Sequence, residues 1–282
     1  MKARDLLDWL LSWHPVGADT VDRIIVGSDA TDVRGVAVMW YPTWRHLREA
    51  VALGCNVVVT HEPTFFTHYD LRGFDEAFRS LPEPAQAAVA ATRDEKRRWI
   101  EQQDLVVIRC HDVLDSMPGG IVDTLAARLG FSLAGYATQS PHYRVVALEP
   151  AQRAGALARR LAERFAAIGQ PGVAFYGDPE REVRRLGLGT GYGCDPWHFV
   201  TLGADVAVTI NDRVKTWTEL AWADDAGFPL IVIDHGTSEE WGVERLSELI
   251  REKYPQLPVH FLRQGCSFRW ITPASRQESV SP

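Results

Sequence analysis

Residues 57–64 read Val57-Val58-Val59-Thr60-His61-Glu62-Pro63-Thr64. The apolar run predicts a strand, and the imidazole of His61 and the carboxylate of Glu62 stand at its C-terminal end. An imidazole and a carboxylate are common ligands of transition metals. The segment therefore predicts a strand of an α/β protein that carries metal-binding groups where it ends.

Two later apolar runs also end in a histidine and a carboxylate. They are 105–108, followed by His111 and Asp115, and 229–233, followed by His235 and Glu239. In open α/β sheets, ligands bind outside the carboxyl ends of the strands, so three such ends can converge on one site. The repetition predicts a single metal site assembled from three strand ends.

Each pair also has an ordinary structural interpretation. The first is a polar strand end before a proline-led turn, and in the second Asp115 interacts favourably with a helix N-terminus. In the third, residues 237–240 match the T-x-x-E capping box, which makes Glu239 a first-turn acid. A metal site is favoured because three separate strand ends would otherwise share the same chemistry by chance.

Composition limits the class of protein. The chain has 282 residues, with 46% hydrophobic and 24% charged residues, which is ordinary for a globular protein of roughly two domains. A net charge of −7 argues against binding to nucleic acid, which requires clustered Lys and Arg. The four cysteines form no CxxC pair, so neither a disulfide framework nor a zinc knuckle is indicated.

No segment has the ~20 apolar residues that a membrane helix needs. Residues 1–13 alternate leucines with aspartates, which predicts an amphipathic helix rather than a signal peptide. We therefore expect a cytoplasmic protein that does not enter a membrane.

Strand and helix patterns alternate along the chain, as in layered α/β proteins. Strands are predicted at 21–26, 35–40, 56–60, 104–109, 142–148, 172–176, 184–188, 205–209, 229–234 and 257–262. Longer helices are predicted at 43–53, 83–103, 151–167, 214–226 and 239–252. We expect a first α/β domain at 1–135 with two ligand pairs, a smaller α/β unit at 136–205, and a segment 206–282 that completes the metal site and packs on the first domain.

The motifs and their order resemble the Nif3-like dinuclear metal-centre proteins, also described as homologues of type 2 GTP cyclohydrolase I. That family has His-His-Pro after one strand, His-Thr-x-x-Asp with Gly-Gly-x-x-x-x-Leu after another, and Gly-His-x-x-x-Glu near the C-terminus. The counterparts here are His61-Glu62-Pro63, His111 to Asp115 with Gly119-Gly120 and Leu125, and Asp234-His235 with Glu239. The resemblance covers nearly the whole chain and implies two layered α/β domains with the metal site in the cleft between them.

The resemblance also implies the ligand set. The family's metal ligands correspond to His61, Glu62, Asp115, His235 and Glu239. Glu62 replaces the second histidine of the family motif, and an anionic oxygen ligand favours Fe or Mn slightly over Zn. Asp115 or Glu239 is the expected bridging carboxylate.

The resemblance implies two divalent ions, with Zn, Fe and Mn as candidates, and hydrolysis of a small phosphoester or nucleotide-like substrate by a metal-bridging hydroxide. His111 is interpreted as a residue that orients a ligand or shuttles a proton, with an ordinary loop histidine as the alternative. A rival function is a non-catalytic regulatory or binding protein in which the ions only organise the cleft. The family forms hexamers, so we expect a homo-oligomer that binds a small molecule.

Two further segments have open interpretations. His68 and Asp70 lie in the irregular segment 61–82, where a flexible loop is preferred over a role at the site. The neighbouring aromatic residues either pack down as a lid or stack on a substrate base, and the lid is preferred. The glycines of 187–193 fail the G-x-G-x-x-G pattern, which favours a tight turn over substrate contact.

Overall fold

The computed structural model describes residues 1–70, 76–133, 140 and 142–271. Its strands are β1 (Arg23–Val26), β2 (Val36–Met39), β3 (Val57–Thr60), β4 (Val106–Arg109), β5 (Tyr143–Arg153), β6 (Ala174–Tyr176), β7 (Glu182–Gly189), β8 (Val206–Ile210), β9 (Leu230–Ile233) and β10 (Val259–Phe261). Its helices are α1 (Ala3–Leu11), α2 (Trp44–Ala52), α3 (Glu76–Arg79), α4 (Glu83–Gln102), α5 (Asp112–Ser116), α6 (Ile121–Arg128), α7 (Ala154–Ala166), α8 (Pro196–Thr201), α9 (Ala221–Ala226) and α10 (His235–Lys253).

The strands form two five-stranded sheets, which confirms the predicted α/β class. The first sheet has the order β1-β4-β3-β2-β10, and only β1 is antiparallel to its neighbour. The second has the order β5-β7-β8-β9-β6, with a parallel centre and two antiparallel edge strands. Strands β3 and β4 are buried throughout, as continuous apolar runs in a parallel sheet should be.

Each of the ten predicted strands corresponds to an observed strand, whereas several helix limits were wrong. Residues 216–220 form a π-helical turn before α9 instead of an α-helix. Helix α10 begins at His235 rather than at 239, and its N-cap is Asp234, whose carboxylate accepts a hydrogen bond from the Thr237 amide. The capping box at 237–240 was therefore a wrong interpretation, and Glu239 lies one turn inside the helix.

Helix α10 joins the two sheets. It starts where β9 of the second sheet ends, and it then packs against β2, β10 and α6 beside the first sheet. Gly242 allows a close approach to α6, because a Cβ at that position would lie 2.9 Å from the Cα of Ile121. Helix α10 therefore places its N-terminal residues, which follow β9 of the second sheet, beside the first sheet.

The domain limits at 135 and 205 stay predictions, and the first lies outside the described residues. The segment from 206 onward contributes β8 and β9 to the second sheet and β10 to the first. Among the helices that the structure describes, none combines the length and apolar character needed to cross a bilayer.

Candidate metal centre

Three strand ends bring the predicted residues together. His61 and Glu62 follow β3, His111 precedes α5, and Asp115 lies within that short helix. His235 is the first residue of α10, and Glu239 follows it by one turn, so both side chains lie on the same helix face. The carboxyl ends of β3, β4 and β9 therefore meet at one place although they belong to different sheets.

His61 is fully buried and faces two carboxylates. Its Nε2 lies 3.3 Å from Glu239 Oε2 and 3.6 Å from Asp115 Oδ1. Its Nδ1 lies 3.2 Å from the carbonyl oxygen of Cys110, a group that can only accept, so Nδ1 carries the proton and donates it. Nε2 is buried and faces both carboxylates, and among the described residues it has no partner with hydrogen-bond geometry.

His235 repeats this arrangement. Its Nε2 lies 3.2 Å from Glu239 Oε1 and 3.5 Å from Glu62 Oε1, and it also lacks a hydrogen-bond partner. Its Nδ1 lies 3.0 Å from Asp212 Oδ2. A histidine that donates one ring N–H to a carboxylate or carbonyl presents the other nitrogen as a metal ligand.

Glu239 lies between the two histidines. Its Oε2 faces His61 and its Oε1 faces His235, at 3.3 and 3.2 Å respectively. The indole Nε1 of Trp40 donates to Oε2 at 2.8 Å and fixes the orientation of the carboxylate. One buried carboxylate thus presents each of its oxygens to a different imidazole.

The pKa values of the carboxyl groups of Asp115, Glu62 and Glu239 are shifted by burial and by their charged neighbours. Burial raises the pKa of Asp115 to about 8, with Glu239 and Glu62 adding to the rise and His61 opposing it. Burial and the charge of Glu239 likewise raise the pKa of Glu62. Burial also disfavours ionisation of Glu239, but His235 and His61 outweigh it and hold the pKa well below its usual range.

The neighbouring carboxylates raise the pKa values of His61 and His235. Burial lowers the pKa of His61, but Glu239 and Asp115 overcome this effect and raise the pKa to about 10. The same balance raises the pKa of His235 well above its ordinary value. The cluster therefore attracts positive charge, and its buried imidazole nitrogens and carboxylate oxygens could hold a metal ion.

His111 lies directly beside the cluster. Its ring stacks on His61, with centroids 4.5 Å apart and an interplanar angle of 9°. Burial, together with the charge of His61, lowers the pKa of His111 to about 3, so it stays neutral. Among the residues that the structure describes, two groups have ligand atoms within 4.8 Å of one another, namely His61 with His111 and Asp115, and His61 with Glu62 and Glu239.

The loop residues His68 and Asp70 have separate roles. His68 borders a cavity of about 390 Å³ beside the cluster. Asp70 does not reach this cavity, because its buried carboxylate accepts hydrogen bonds from the amides of Thr64 (2.6 Å) and Phe65 (2.9 Å). The fully buried Arg109 lies 3.4 Å from Asp70 and donates to the carbonyl of His61. Asp70 therefore anchors the segment that carries His61 and Glu62.

The second sheet supplies the facing wall of this cavity. His142, which precedes β5, lines it together with Gly191 and Tyr192. Gly191 has a φ of +67°, and a Cβ there would lie 3.4 Å from Glu239 Oε1. The predicted tight turn is confined to residues 190–193, because Gly187 and Gly189 belong to β7, and this turn also borders the cluster.

Sequence reasoning missed His142, Trp40 and Asp212 at this site. Trp40 follows β2 and Asp212 follows β8. The rule that ligands gather at the carboxyl ends of parallel strands could have found both, since each lies one or two residues beyond a strand end. His142 gave no such signal because it precedes its strand.

Comparison with known proteins gives consistent matches. The family described as Duf34/NIF3 (NGG1p interacting factor 3) matches residues 1–265. Two curated relatives carry the name GTP cyclohydrolase 1 type 2 homolog. The Streptomyces coelicolor protein is 27% identical over 88% of this chain and 84% of its own length, and the Clostridium perfringens protein is 22% identical over 90% and 92%.

Solved structures agree with the fold. A Staphylococcus aureus crystal structure matches with a TM-score of 0.76 and 20% identity, covering 96% of this chain and 99% of the other. A Bacillus cereus protein described as related to NIF3 matches with a TM-score of 0.73 and 16% identity over the same shares.

Proposed function

The chain belongs to the Duf34/NIF3 family, and from this premise we propose that it is a dinuclear metal-binding protein that acts as a metal-dependent hydrolase. The observation that carries the proposal is the position of Glu239, whose two oxygens face two different histidines with unpartnered Nε2 atoms. A carboxylate placed in this way suits a bridge between two ions.

The two halves of the cluster have matching donor sets. His61, Asp115 and Glu239 Oε2 would hold one ion, and Glu62, His235 and Glu239 Oε1 the other. Mixed imidazole and carboxylate donors suit Zn, Fe or Mn. Two divalent ions held there would supply Lewis acidity and would lower the pKa of a bound water, which is the chemistry that hydrolysis requires.

His111 is proposed to move the proton. Its Nδ1 lies 3.0 Å from Asp112 Oδ1, so this nitrogen keeps its hydrogen and Nε2 is free to accept one. Burial, together with the charge of His61, lowers the pKa of His111 to about 3, so the ring is neutral at neutral pH and is a weak base that passes a proton on rather than retaining it. Because Asp112 also accepts from Thr20 Oγ1 at 2.8 Å, the acceptor that orients His111 is itself fixed.

The substrate class is a small phosphoester or nucleotide-like molecule. The relatives' name, GTP cyclohydrolase 1 type 2 homolog, supports a nucleotide-like substrate. The cavity of about 390 Å³ beside the cluster has room for a small molecule, as both the hydrolase and the rival binding protein require. The sequence expectations of a homo-oligomer, in particular a hexamer, and of a cytoplasmic location stay predictions.

The test is elemental analysis of protein purified without added metal or affinity tag. We expect about two transition-metal ions per chain in wild type and about one or fewer in Glu239→Gln. The control Glu163→Gln, which changes an exposed residue of α7, should keep the full metal content. Metal content that is unchanged in Glu239→Gln would refute the site.

Metal-loaded protein is then screened against phosphoesters and nucleotides. Turnover that disappears in His111→Gln while the metal content remains would support hydrolysis with His111 as proton acceptor. Full metal content without any turnover would favour the regulatory alternative.

A further inference from the structure

A second cavity, of about 550 Å³, also adjoins the candidate metal centre. Glu62 and His235 border it, as they border the smaller cavity. Its remaining walls include the aromatic residues Trp40, Tyr41 and Phe66. We name this cavity, bordered by these five residues, the aromatic cleft.

Phe66 is held in a conformation that a bulky residue rarely adopts. Its φ of +67° lies in the left-handed region, and its side chain is 43% exposed. The neighbouring Phe65 is fully buried, so the segment already has an apolar anchor. Backbone strain of this kind persists only where the surroundings enforce it, and it concentrates at functional sites.

Several contacts hold the segment around Phe66 in place. The carboxylate of Asp70 holds the amides of Thr64 and Phe65, and Nζ of the buried Lys96 donates to the carbonyl of Thr64 at 2.9 Å. The Lys96 ammonium also lies 5.2 Å from the centroid of the Tyr41 ring and 5.6 Å from that of Phe66. Both distances lie within the range in which an ammonium attracts an aromatic face, so the cation contacts both rings of the cleft.

Gln264 contributes an unpartnered polar group. It lines the aromatic cleft, and its buried Oε1 has no hydrogen-bond partner among the described residues. Its backbone amide donates to Glu240 Oε1 at 3.0 Å, so the residue itself is fixed in place. A buried amide oxygen without a partner is costly, and a ligand N–H would satisfy it.

We propose that the aromatic cleft binds a planar aromatic ring that bears an N–H donor, as part of the substrate of the adjoining centre. The ring packs on Phe66 and Tyr41, the N–H donates to Gln264, and the reacting group extends toward Glu62 and His235. The role as a substrate subsite rests on the proposed function, whereas binding of the ring itself requires no metal.

The experiment measures binding of two probes by ligand-observed NMR. Benzamide has a planar ring and a carboxamide N–H, and cyclohexanecarboxamide has the same amide on a puckered ring. We expect benzamide to bind about 10-fold more tightly, since only the planar ring can stack. Equal binding of the two probes, or binding of neither, would overturn the proposal.

Single substitutions test whether benzamide binds in the aromatic cleft. Phe66→Leu should weaken benzamide about 10-fold, and Gln264→Leu should weaken both probes. The matched control is Tyr69→Leu, because Tyr69 is an aromatic residue of the same segment that is 53% exposed but lies outside the cleft. The proposal fails if Tyr69→Leu weakens benzamide as much as Phe66→Leu does.

Phe66→Gly separates a binding role from a structural one. Glycine adopts a positive φ without strain, so this variant should melt at the same or a higher temperature while it loses benzamide binding. A lower melting temperature with benzamide affinity retained would assign Phe66 to packing instead.

Metal content is measured on the same samples, so the two proposals can fail separately. Benzamide binding that depends on Phe66, in protein that binds no metal, would refute the metal centre and retain the cleft. Two ions per chain without benzamide binding would refute the cleft alone.

Discussion

At the scale of single residues, a metal-ligating histidine is oriented by the group that its other ring nitrogen contacts. His61 relies on the backbone carbonyl of Cys110, which substitution cannot remove, whereas His235 relies on the side chain of Asp212. The two imidazoles therefore differ in how a single mutation can affect them.

Asp212→Asn should weaken metal binding by about 10-fold, because the amide is a poorer acceptor for the His235 Nδ1 proton and holds the ring less firmly. Chelator competition on the purified protein measures the affinity. Asp225→Asn, which changes an exposed aspartate of α9, is the matched control and should have no effect. Equal metal affinity in Asp212→Asn and wild type would contradict the assigned role.

A second prediction concerns Lys96, whose pKa is lowered to about 8 by burial, with Asp70 opposing the shift. Between about pH 8 and pH 10.5, Lys96 is protonated in the unfolded chain but deprotonated in the folded chain. The contribution of Lys96 to the free energy of unfolding therefore rises with pH over this interval. Relative to Lys96→Met, wild type should gain about 2 to 3 kcal/mol over this interval. Below pH 8 the difference between the two should be constant.

Urea unfolding of both proteins from pH 7 to 10.5 gives this difference. Titrations of cysteine and tyrosine occur in both proteins and largely cancel. A constant difference across the whole interval would show that Lys96 has an ordinary pKa.

At the scale of elements, the N-terminus of α10 is decided by tertiary contacts. Asp234 caps the helix and also accepts hydrogen bonds from the backbone amide and hydroxyl of Ser267, while its own amide donates to Gln170. The local T-x-x-E pattern competes for the same role, but only Asp234 has these additional partners. Sequence alone therefore placed the start of the helix one turn too late.

Asp234→Ala should lower the free energy of unfolding by about 1 to 3 kcal/mol and also weaken metal binding, because α10 carries His235 and Glu239. Thr43→Ala is the comparison, since Thr43 caps α2, which carries none of the proposed ligands. It should cost about 1 kcal/mol and leave metal affinity unchanged. Urea unfolding and chelator competition measure the two quantities, and equal metal affinity in both variants would contradict the role of the cap.

Strands were easier to predict than short helices for a physical reason. An apolar run such as 57–59 identifies a buried strand by itself, and all ten predicted strands were confirmed. Helices α5 and α8 have five and six residues, fewer than two turns, so their sequences carry no helical period. Asp115 nevertheless depends on α5 for its position.

At the scale of the whole molecule, the candidate centre joins both sheets through α10. The proposed ligands follow β3 or lie in α5 and α10, which are far apart in sequence, so ions bound there would favour the folded chain over the unfolded one. Removal of metal by a chelator should lower the melting temperature of wild type by about 5 to 10 °C. Glu239→Gln should respond much less, and an equal shift in both proteins would mean that the chelator acts elsewhere.

The sequence by itself determined which strands form, and it placed a histidine and a carboxylate at three strand ends, because hydrophobic runs and their terminators are local properties of the chain. Only the tertiary structure decided that Glu239 faces two histidines, that His61 and His235 present Nε2, and that His142, Gly191 and Phe66 border the same centre. These relations depend on how the two sheets pack around α10, and such distances between remote segments leave no periodic trace in the sequence.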